Sequence, residues 1–384
     1  MKRITEDWIT AEATQKVCAA LTDDGAQALF VGGCVRNALL GVPVSDIDIS
    51  TDARPERVMT LAEQAGLKAI PTGIEHGTIT VVSHGLPHEI TTFRRDVETD
   101  GRRAVVAFSD KVEEDAARRD FTMNALYAQP DGTILDPLNG LPDLQARHVR
   151  FIGDAQARIR EDYLRSLRYF RFHAWYGDAE AGFDPDALAA ISSNLDGLAG
   201  LSRERVGAEL LKLLGAPDPG PSVATMRQTG VLTHLLPGIE DRALPILIKL
   251  EQDAGATPDP IRRLAAIAST DVAQTLRLSK AQLQRLARMR EESTGTAGVA
   301  ELGFRYGAEG GLHETLLRCA FLEQPWDEQF KAQLQAGAKA IFPIKAKDLI
   351  PDFSGPALGK KLAELEARWI ASGFTLSRQE LLAG

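Results

Sequence analysis

Cysteine is scarce: Cys18, Cys34 and Cys319 are the three in 384 residues. No Cys-x-x-Cys pair or Cys/His cluster joins them, which argues against a zinc site and against a disulfide framework, and leaves them as small buried apolar residues. Long apolar runs are also missing. The opening MKRITEDWIT has no stretch that reads as a signal peptide, and nothing later approaches the roughly 20 apolar residues of a membrane span. A cytoplasmic protein without a membrane partner is expected. Positive charge is not in excess either: 44 Lys and Arg stand against 53 Asp and Glu, a formal charge of −9. That balance argues against binding polyanions by bulk electrostatics, so any nucleic-acid contact must use local basic patches. Internal repeats and low-complexity tracts are absent, and nothing in the pattern specifies an oligomeric state.

What is present is an ordinary globular composition, 44% hydrophobic and 25% charged, in a chain long enough for two or three domains. Helix-favouring residues run from about Thr10 to Ala26, and the apolar segment Ala28 to Val31 then meets Gly32 and Gly33. "CVRNALLG" reads as a short helix ended by Gly41, and "ARPERVMTLAEQAG" as another with Pro55 in its first turn. "GTITVV" and "HEITTF", separated by "SHGLP", read as a hairpin. The polar, Gly-containing segment 94–115 reads as a mobile loop, with Arg102 and Arg103 as solvated loop arginines. Beyond about Ala155 strand signals nearly vanish and helical periodicity dominates, and the Pro/Gly breaks at 215–222 and 255–260 read as joints between helical subdomains. An α/β unit over residues 28 to 93 on a long α-helical body is expected.

Within that unit, "VSDIDIST" (44–51) alternates Asp46, Asp48 and Ser50 with Ile47 and Ile49. The period of two describes a strand with one apolar and one anionic face. Asp is a poor strand former, and two carboxylates on one side sit roughly 6.5 Å apart, close enough to repel unless a cation lies between them. A calcium loop is excluded, because Thr51 and Arg57 stand where it needs Gly and Glu. A solvated edge strand is the simplest alternative. The glycines upstream favour another reading: bare backbone at Gly32 and Gly33 opening a helix, with Arg36 one turn in, is a place for a phosphate. Two carboxylates beside such a cradle suit Mg²⁺, which takes oxygen from one or two carboxylates and from substrate phosphates. Glu89 adds a third carboxylate if its strand pairs beside the first, and is otherwise a surface residue of the hairpin.

A second constellation lies downstream. "ARRDFTMNAL" brings Arg118, Arg119 and Asp120 before an apolar segment, with Asn124 one turn later. "RIREDYLRSLRYFRF" (158–172) reads as one helix with Ile159, Tyr163, Leu167 and Phe170 on one face and Asp162, Arg165, Arg168 and Tyr169 opposite. Its alternative is a solvated face laced by i, i+3 salt bridges.

Together, "FVGGCVRNALLG…VSDIDIST", "RRDFTMNAL", "DPLNGLPDL", "REDYLRSLRYFRF" and "LSRERVGAEL" resemble the ordered motifs of the class II CCA-adding tRNA nucleotidyltransferases and bacterial poly(A) polymerases, from about Leu29 to Leu214. The resemblance implies an α+β fold: a polymerase-β-like nucleotidyltransferase head with a small mixed β-sheet (1–150), an all-α neck that recognises the base (151–215), and a helical body and tail that hold tRNA (216–384). It implies that Asp46 and Asp48 hold two Mg²⁺ ions, one activating the RNA 3′-hydroxyl and one clamping the triphosphate, with Glu89 as a third catalytic carboxylate. Gly32, Gly33 and Arg36 then contact the triphosphate, and Arg119, Asp120 and Asn124 hold the ribose. Asp162 and Arg165 read the base, and Arg168 and Arg171 reach toward phosphates. Asn37 departs from the family, which has Asp there, and is left out of the site.

Hydrogen-bond logic agrees with the base-reading role. Cytosine and adenine present an amine donor beside a ring-nitrogen acceptor, whereas uracil and guanine present a carbonyl beside an N–H. A carboxylate and a guanidinium sharing a helix face at i, i+3 suit the first pair and oppose the second. "IPTGIEHGTITVV" after the acidic strand resembles the CCA-adding pattern, and "TLSRQELLAG" is no basic tail. CCA addition from CTP and ATP is therefore expected. The alternatives are a poly(A) polymerase, an enzyme adding part of CCA, and a non-catalytic RNA-binding or nucleotide-sensing protein.

Overall fold

The structure is a computed structural model that describes residues 3–100, 103–268, 272–350 and 352–383. It divides into two compact units, one of residues 1–213 and 221–235, the other of 214–220 and 236–384.

The first unit is built on a seven-stranded mixed sheet. Its strands are β1 (Leu29–Val31), β2 (Asp48–Thr51), β3 (Lys68–Gly73), β4 (Thr78–Ser83), β5 (Leu86–Thr92), β8 (Tyr127–Ala128) and β9 (Ile134–Leu135), ordered β3-β4-β5-β2-β1-β8-β9. β2 and β5 run parallel and the other neighbours antiparallel. β1 is buried along its whole length, as a continuous apolar run requires, and β4 alternates buried with half-buried residues. The hairpin is tighter than expected: Ser83 and Leu86 pair, leaving a two-residue loop of His84 and Gly85. Both have positive φ, 49° and 81°, the geometry that matches the twist of a β-hairpin. Helix Glu12–Thr22 falls within the helix-favouring run, and helices Gly33–Leu40 and Pro55–Gln64 fall where Gly41 and Pro55 put an end and a start.

Segment 94–115 is not a loop. Strands β6 (Arg94–Asp100) and β7 (Arg103–Phe108) form a separate two-stranded sheet, followed by a helix over Val112–Ala117. The run "RAVVAF" carries two β-branched residues and an aromatic, which favour a strand and outweigh the polar residues around it. Arg102 and the side chain of Arg103 lie outside the described residues.

The expected helix over 158–172 is two helices, Ala155–Glu161 and Leu164–Tyr176, broken at Asp162 (φ −153°, ψ 104°). The Asp162 carboxylate accepts the Leu164 amide at 3.1 Å. A short polar side chain that bonds nearby backbone competes with helix continuation, and periodicity alone does not register it. Tyr169, expected on the polar face, is fully buried; its ring stacks on Phe151 with centroids 5.6 Å apart.

The second unit is helical throughout its described residues. Arg262 and Arg263 are both buried at its centre and share Glu251, at 2.7 Å each. Arg263 spends its remaining donors on the carbonyls of Leu214, Ala216 and Pro217. The break at 215–222 is thus pinned by a buried guanidinium whose donors are all used. The break at 255–260 joins two helices of the same unit, Ala243–Asp253 and Pro260–Ile267. Among the described residues no helix is long and apolar enough to cross a membrane.

Candidate active site

The acidic strand begins at Asp48, and Asp46 lies in the extended approach to it. Ile47 and Ile49 are buried, Asp46 is exposed and Asp48 half-buried, so the alternation holds from Asp46 to Ile49; it ends at Ser50, which was expected on the polar face and is buried. On the acidic face Asp48 lies directly opposite Glu89 in the parallel β2–β5 pair. The pairing on which the third carboxylate depended therefore exists. Burial pushes the Asp48 carboxyl up to about 6, the Glu89 and Asp46 charges push the same way, and Arg119 opposes them. Among the described residues no three His, Cys, Asp or Glu side chains converge as a metal-holding group. The donor set is Asp48 with Asp46 two residues before it and Glu89 opposite it, which suits a cation that takes its remaining ligands from substrate.

Gly32 stands at the N-terminus of the Gly33–Leu40 helix with φ 71° and ψ −120°. That backbone is strained for any residue with a Cβ, and an added Cβ would lie 3.5 Å from Arg119 Nη1. The helix N-terminus faces a cavity of about 410 Å³ whose wall includes Gly32, Gly33, Arg36, Asp48, Arg118, Arg119, Asp120, Asn124, Asp162, Arg165, Arg168 and Arg205. The glycine turn, the Arg119/Asp120/Asn124 group expected beside the ribose and the Asp162 and Arg165 expected to read the base, drawn from three sequence segments, thus share one wall. Asp46 and Glu89 flank Asp48 and are not on that wall.

Arg36 is buried and already clamped. It donates to Asn124 Oδ1 at 2.5 Å, to Tyr176 Oη at 2.8 Å and to Asn37 Oδ1 at 2.9 Å, with its guanidinium 4.0 Å from the centre of the Tyr176 ring. Asn37, which replaces the family's Asp, therefore acts on Arg36. Asn124 also donates to Asp120 Oδ1 at 2.9 Å, and Arg168 donates to Asp120 Oδ2 at 2.8 and 2.5 Å. Burial pushes the Asp120 carboxyl up, but Arg168 and the bonds from Asn124 and Phe121 more than offset it and hold it below the ordinary carboxylate range. Arg36, Asn124, Asp120 and Arg168 form one continuous polar chain.

Arg165 pairs with Glu161, not with Asp162. Its Nη1 donates to Glu161 Oε2 at 2.5 Å and to the Arg158 carbonyl, and its Nη2 to the Arg118 carbonyl. A guanidinium has five N–H groups, so Nε–H and one Nη2–H remain for a ligand. Asp162 pairs with Arg205 at 2.6 Å. The i, i+3 face is therefore replaced by a helix break that brings both residues to the cavity. Arg171 is not brought there: it is bonded to Glu209 and lies 4.6 Å from the Phe172 ring centre.

Sequence reasoning missed Asp115, Glu161, Arg205 and Glu209. Spacing could have found two of them: Asp115 sits i, i+3 and i, i+4 before Arg118 and Arg119, and Glu161 sits i, i+4 before Arg165. The Asp115 side chain is fully buried and accepts from Arg118, Arg119 and Tyr127 at 2.8 to 2.9 Å. Burial would push its carboxyl up, but Arg119 and Arg118 hold it far below its ordinary 3.8. Asp115→Asn is expected to destabilise the protein by about 3 kcal/mol at pH 7, since it leaves two largely buried guanidiniums under-paired. A folded-state carboxyl with a depressed proton affinity contributes stability above about pH 4 and loses it as pH falls further. The gap in thermal midpoint between wild type and variant should therefore begin to narrow below pH 4 and go on narrowing as pH falls toward the depressed folded-state value. A gap that does not narrow at all over that range would show that packing, not charge, sets Asp115's contribution.

Comparison with known proteins places these segments. The family model described as the poly A polymerase head domain matches residues 28–150, and one described as the probable RNA and SrmB-binding site of polymerase A matches residues 182–242. The chain is 32% identical over 389 residues to the human CCA tRNA nucleotidyltransferase 1, mitochondrial, covering 97% of this chain and 89% of that protein. It is 41% identical over 224 residues to the CCA-adding enzyme of Geobacillus thermodenitrificans, covering 58% of this chain and 54% of the relative. Among solved structures it resembles the Bacillus stearothermophilus CCA-adding enzyme in complex with CTP, with a TM-score of 0.72 at 30% identity, over 96% of this chain and 94% of the other.

Proposed function

The chain belongs to the class II CCA-adding tRNA nucleotidyltransferase family, and from that membership we propose that it adds C, C and A to the 3′ end of tRNA from CTP and ATP without a nucleic-acid template. Its fold is α+β, a polymerase-β-like head followed by helices. The observation that carries the proposal is one cavity walled by a glycine turn, Asp48 and the Asp162/Arg165 pair. Phosphoryl chemistry needs the first two, and choice of base needs the third.

In this reading the N–H groups at Gly32 and Gly33 receive the triphosphate. The chain from Arg36 through Asn124 and Asp120 to Arg168 forms a preorganised frame beside the ribose and phosphates. Its groups already hold one another, so little ordering remains to be done when nucleotide arrives. Asp162 accepts from the exocyclic amine of cytosine or adenine, and Arg165 donates to the ring nitrogen beside it. The RNA 3′-hydroxyl attacks the α-phosphorus and pyrophosphate leaves. Crowded carboxylates with a raised proton affinity at Asp48 fit a hard divalent cation, held by Asp46 and Asp48 with Glu89 in support; our specific assignment is Mg²⁺. Bound there, it would supply activation of the hydroxyl and neutralisation of the leaving group. We assign residues 1–150 as catalytic head, 151–215 as base-recognising neck and 216–384 as tRNA-binding body and tail. A cytoplasmic location belongs to the same proposal, supported by three buried free thiols that suit a reducing compartment.

The test is direct. With Mg²⁺, CTP and ATP, tRNA lacking its 3′ end should gain C, C, A and then stop, read by sequencing the product ends. Long A tails would establish a poly(A) polymerase, and no extension would establish the binding module.

A further inference from the structure

Arg36 is 6% exposed, yet every group it donates to is neutral. Asn37 Oδ1 takes Nε–H at 3.2 Å and one Nη2–H at 2.9 Å, Tyr176 Oη takes the other Nη2–H at 2.8 Å, and Asn124 Oδ1 takes one Nη1–H. Of the five N–H groups of a guanidinium, one on Nη1 is left. The surroundings do not supply the missing negative charge. The guanidiniums of Arg36, Arg168 and Arg171 lie 5.1, 5.4 and 4.6 Å from the centre of the Phe172 ring, and the carboxylates paired within that group are Asp120, held by Arg168, and Glu209, held by Arg171. Three cations thus stand against two anions, and the unpaired one is Arg36. Burial lowers its proton affinity and the Arg171 charge adds to that, with Tyr176 and Asp120 opposing. A buried charge without a counter-charge is costly, and this one lies at the glycine turn: a Cβ added at Gly33 would be 3.9 Å from Arg36 Nη2.

Asn37 keeps that charge open. Its amide is fixed by a second bond, from Nδ2 to the Pro43 carbonyl at 3.0 Å; turned over, it would set N–H against the guanidinium and oxygen against the carbonyl. A carboxylate in its place would neutralise Arg36 and put an anionic oxygen against Pro43. We propose that Asn37 sets the affinity of the site for the triphosphate and for pyrophosphate, by binding Arg36 without neutralising it and so leaving its charge to the phosphates. This rests on the CCA-adding reading of the site, in which Arg36 faces the triphosphate. Asn37 is a positioning residue that acts through Arg36, so it bears on all nucleotides alike and leaves the choice of base to other groups.

Asn37→Asp should weaken binding of CTP, ATP and inorganic pyrophosphate about tenfold each, measured at equilibrium on the full chain in chelator so that no metal intervenes. Cytidine, which has the base and ribose but no phosphate, should bind as it does to wild type. Asn37→Ala removes the same two bonds without adding charge, and should weaken CTP and pyrophosphate by no more than about threefold. In turnover with Mg²⁺, KM for CTP and ATP should rise in Asn37→Asp while kcat stays within about twofold and the preference over UTP and GTP is kept. Unchanged pyrophosphate binding in Asn37→Asp overturns the proposal. So does a loss for cytidine as large as that for CTP, or an equal loss in both variants with a lowered thermal midpoint, which would mark the broken Pro43 bond and not the added charge. A wild-type protein that does not add C, C and A would remove the underlying reading and this inference with it. Wild-type CCA addition with undiminished pyrophosphate binding in Asn37→Asp would remove Asn37 alone.

Discussion

Asp48→Asn is expected to abolish nucleotide addition, by on the order of 10⁴-fold or more, without lowering the thermal midpoint. The two halves share one cause. Asp48 is half-buried, lies opposite Glu89 in the parallel strand pair, and has Asp46 two residues before it. Its ionised form is disfavoured enough to raise its carboxyl to about 6, and Arg119 compensates only in part. Removing that charge relieves repulsion in the nucleotide-free protein and, on the proposed assignment, removes the cation ligand at once. Binding of CTP in chelator should remain within a few-fold of wild type, because Asp162, Arg165 and the frame through Asp120 are untouched. Activity within tenfold of wild type would sink the assignment of Asp48 as a metal ligand. A fall in thermal midpoint would instead show that Asp48 is a structural acid satisfied by Arg119.

The contrast between Asp48 and Asp162 shows what this sequence discloses. The acidic strand, the glycine turn and the hairpin were legible because each is a local pattern: alternation fixes a face, and a Gly-Gly before an apolar helix marks the turn that opens it. Even Glu89 was legible conditionally, since strand alternation gave its face and needed only the β2–β5 pairing. The neck was less so. Periodicity ran through Asp162 because 3.6-residue spacing is blind to a side chain that bonds its own backbone two residues on. It likewise put Tyr169 on the polar face, when the ring is enclosed by Phe121, Phe151, Phe170 and Phe183. Partners such as Arg205 and Glu209 lie about forty residues from the groups they hold, 43 from Asp162 and 38 from Arg171. No spacing rule reaches that far. Asp115 had a spacing signal, i, i+3 and i, i+4 before Arg118 and Arg119, but only the fold shows that its side chain, unlike those of Glu113 and Glu114, is fully buried against those two arginines and Tyr127.

Asp162→Ala should give the second large effect, and its signature differs from that of Asp48. The acceptor for the exocyclic amine is lost, so kcat/KM for CTP and ATP should fall about 10²-fold, the scale expected when a matched hydrogen bond to a charged group is removed from an enclosed site. Arg205 loses its partner in the same step, and its N–H groups become available to a carbonyl. UTP and GTP should therefore gain while CTP and ATP lose, and the order of preference should narrow to within about tenfold. Metal dependence of the residual activity should follow the wild-type curve, since Asp46 and Asp48 are unchanged. Pairing the substitution with Arg205→Ala separates the two contributions: the gain for UTP and GTP should vanish in the double variant, while the loss for CTP and ATP remains. Unchanged rejection of UTP and GTP in the single variant would take base reading away from Asp162. It would leave Arg165 as the reader, and a guanidinium donates to a carbonyl as readily as to a ring nitrogen, so specificity would then have to come from the shape of the cavity.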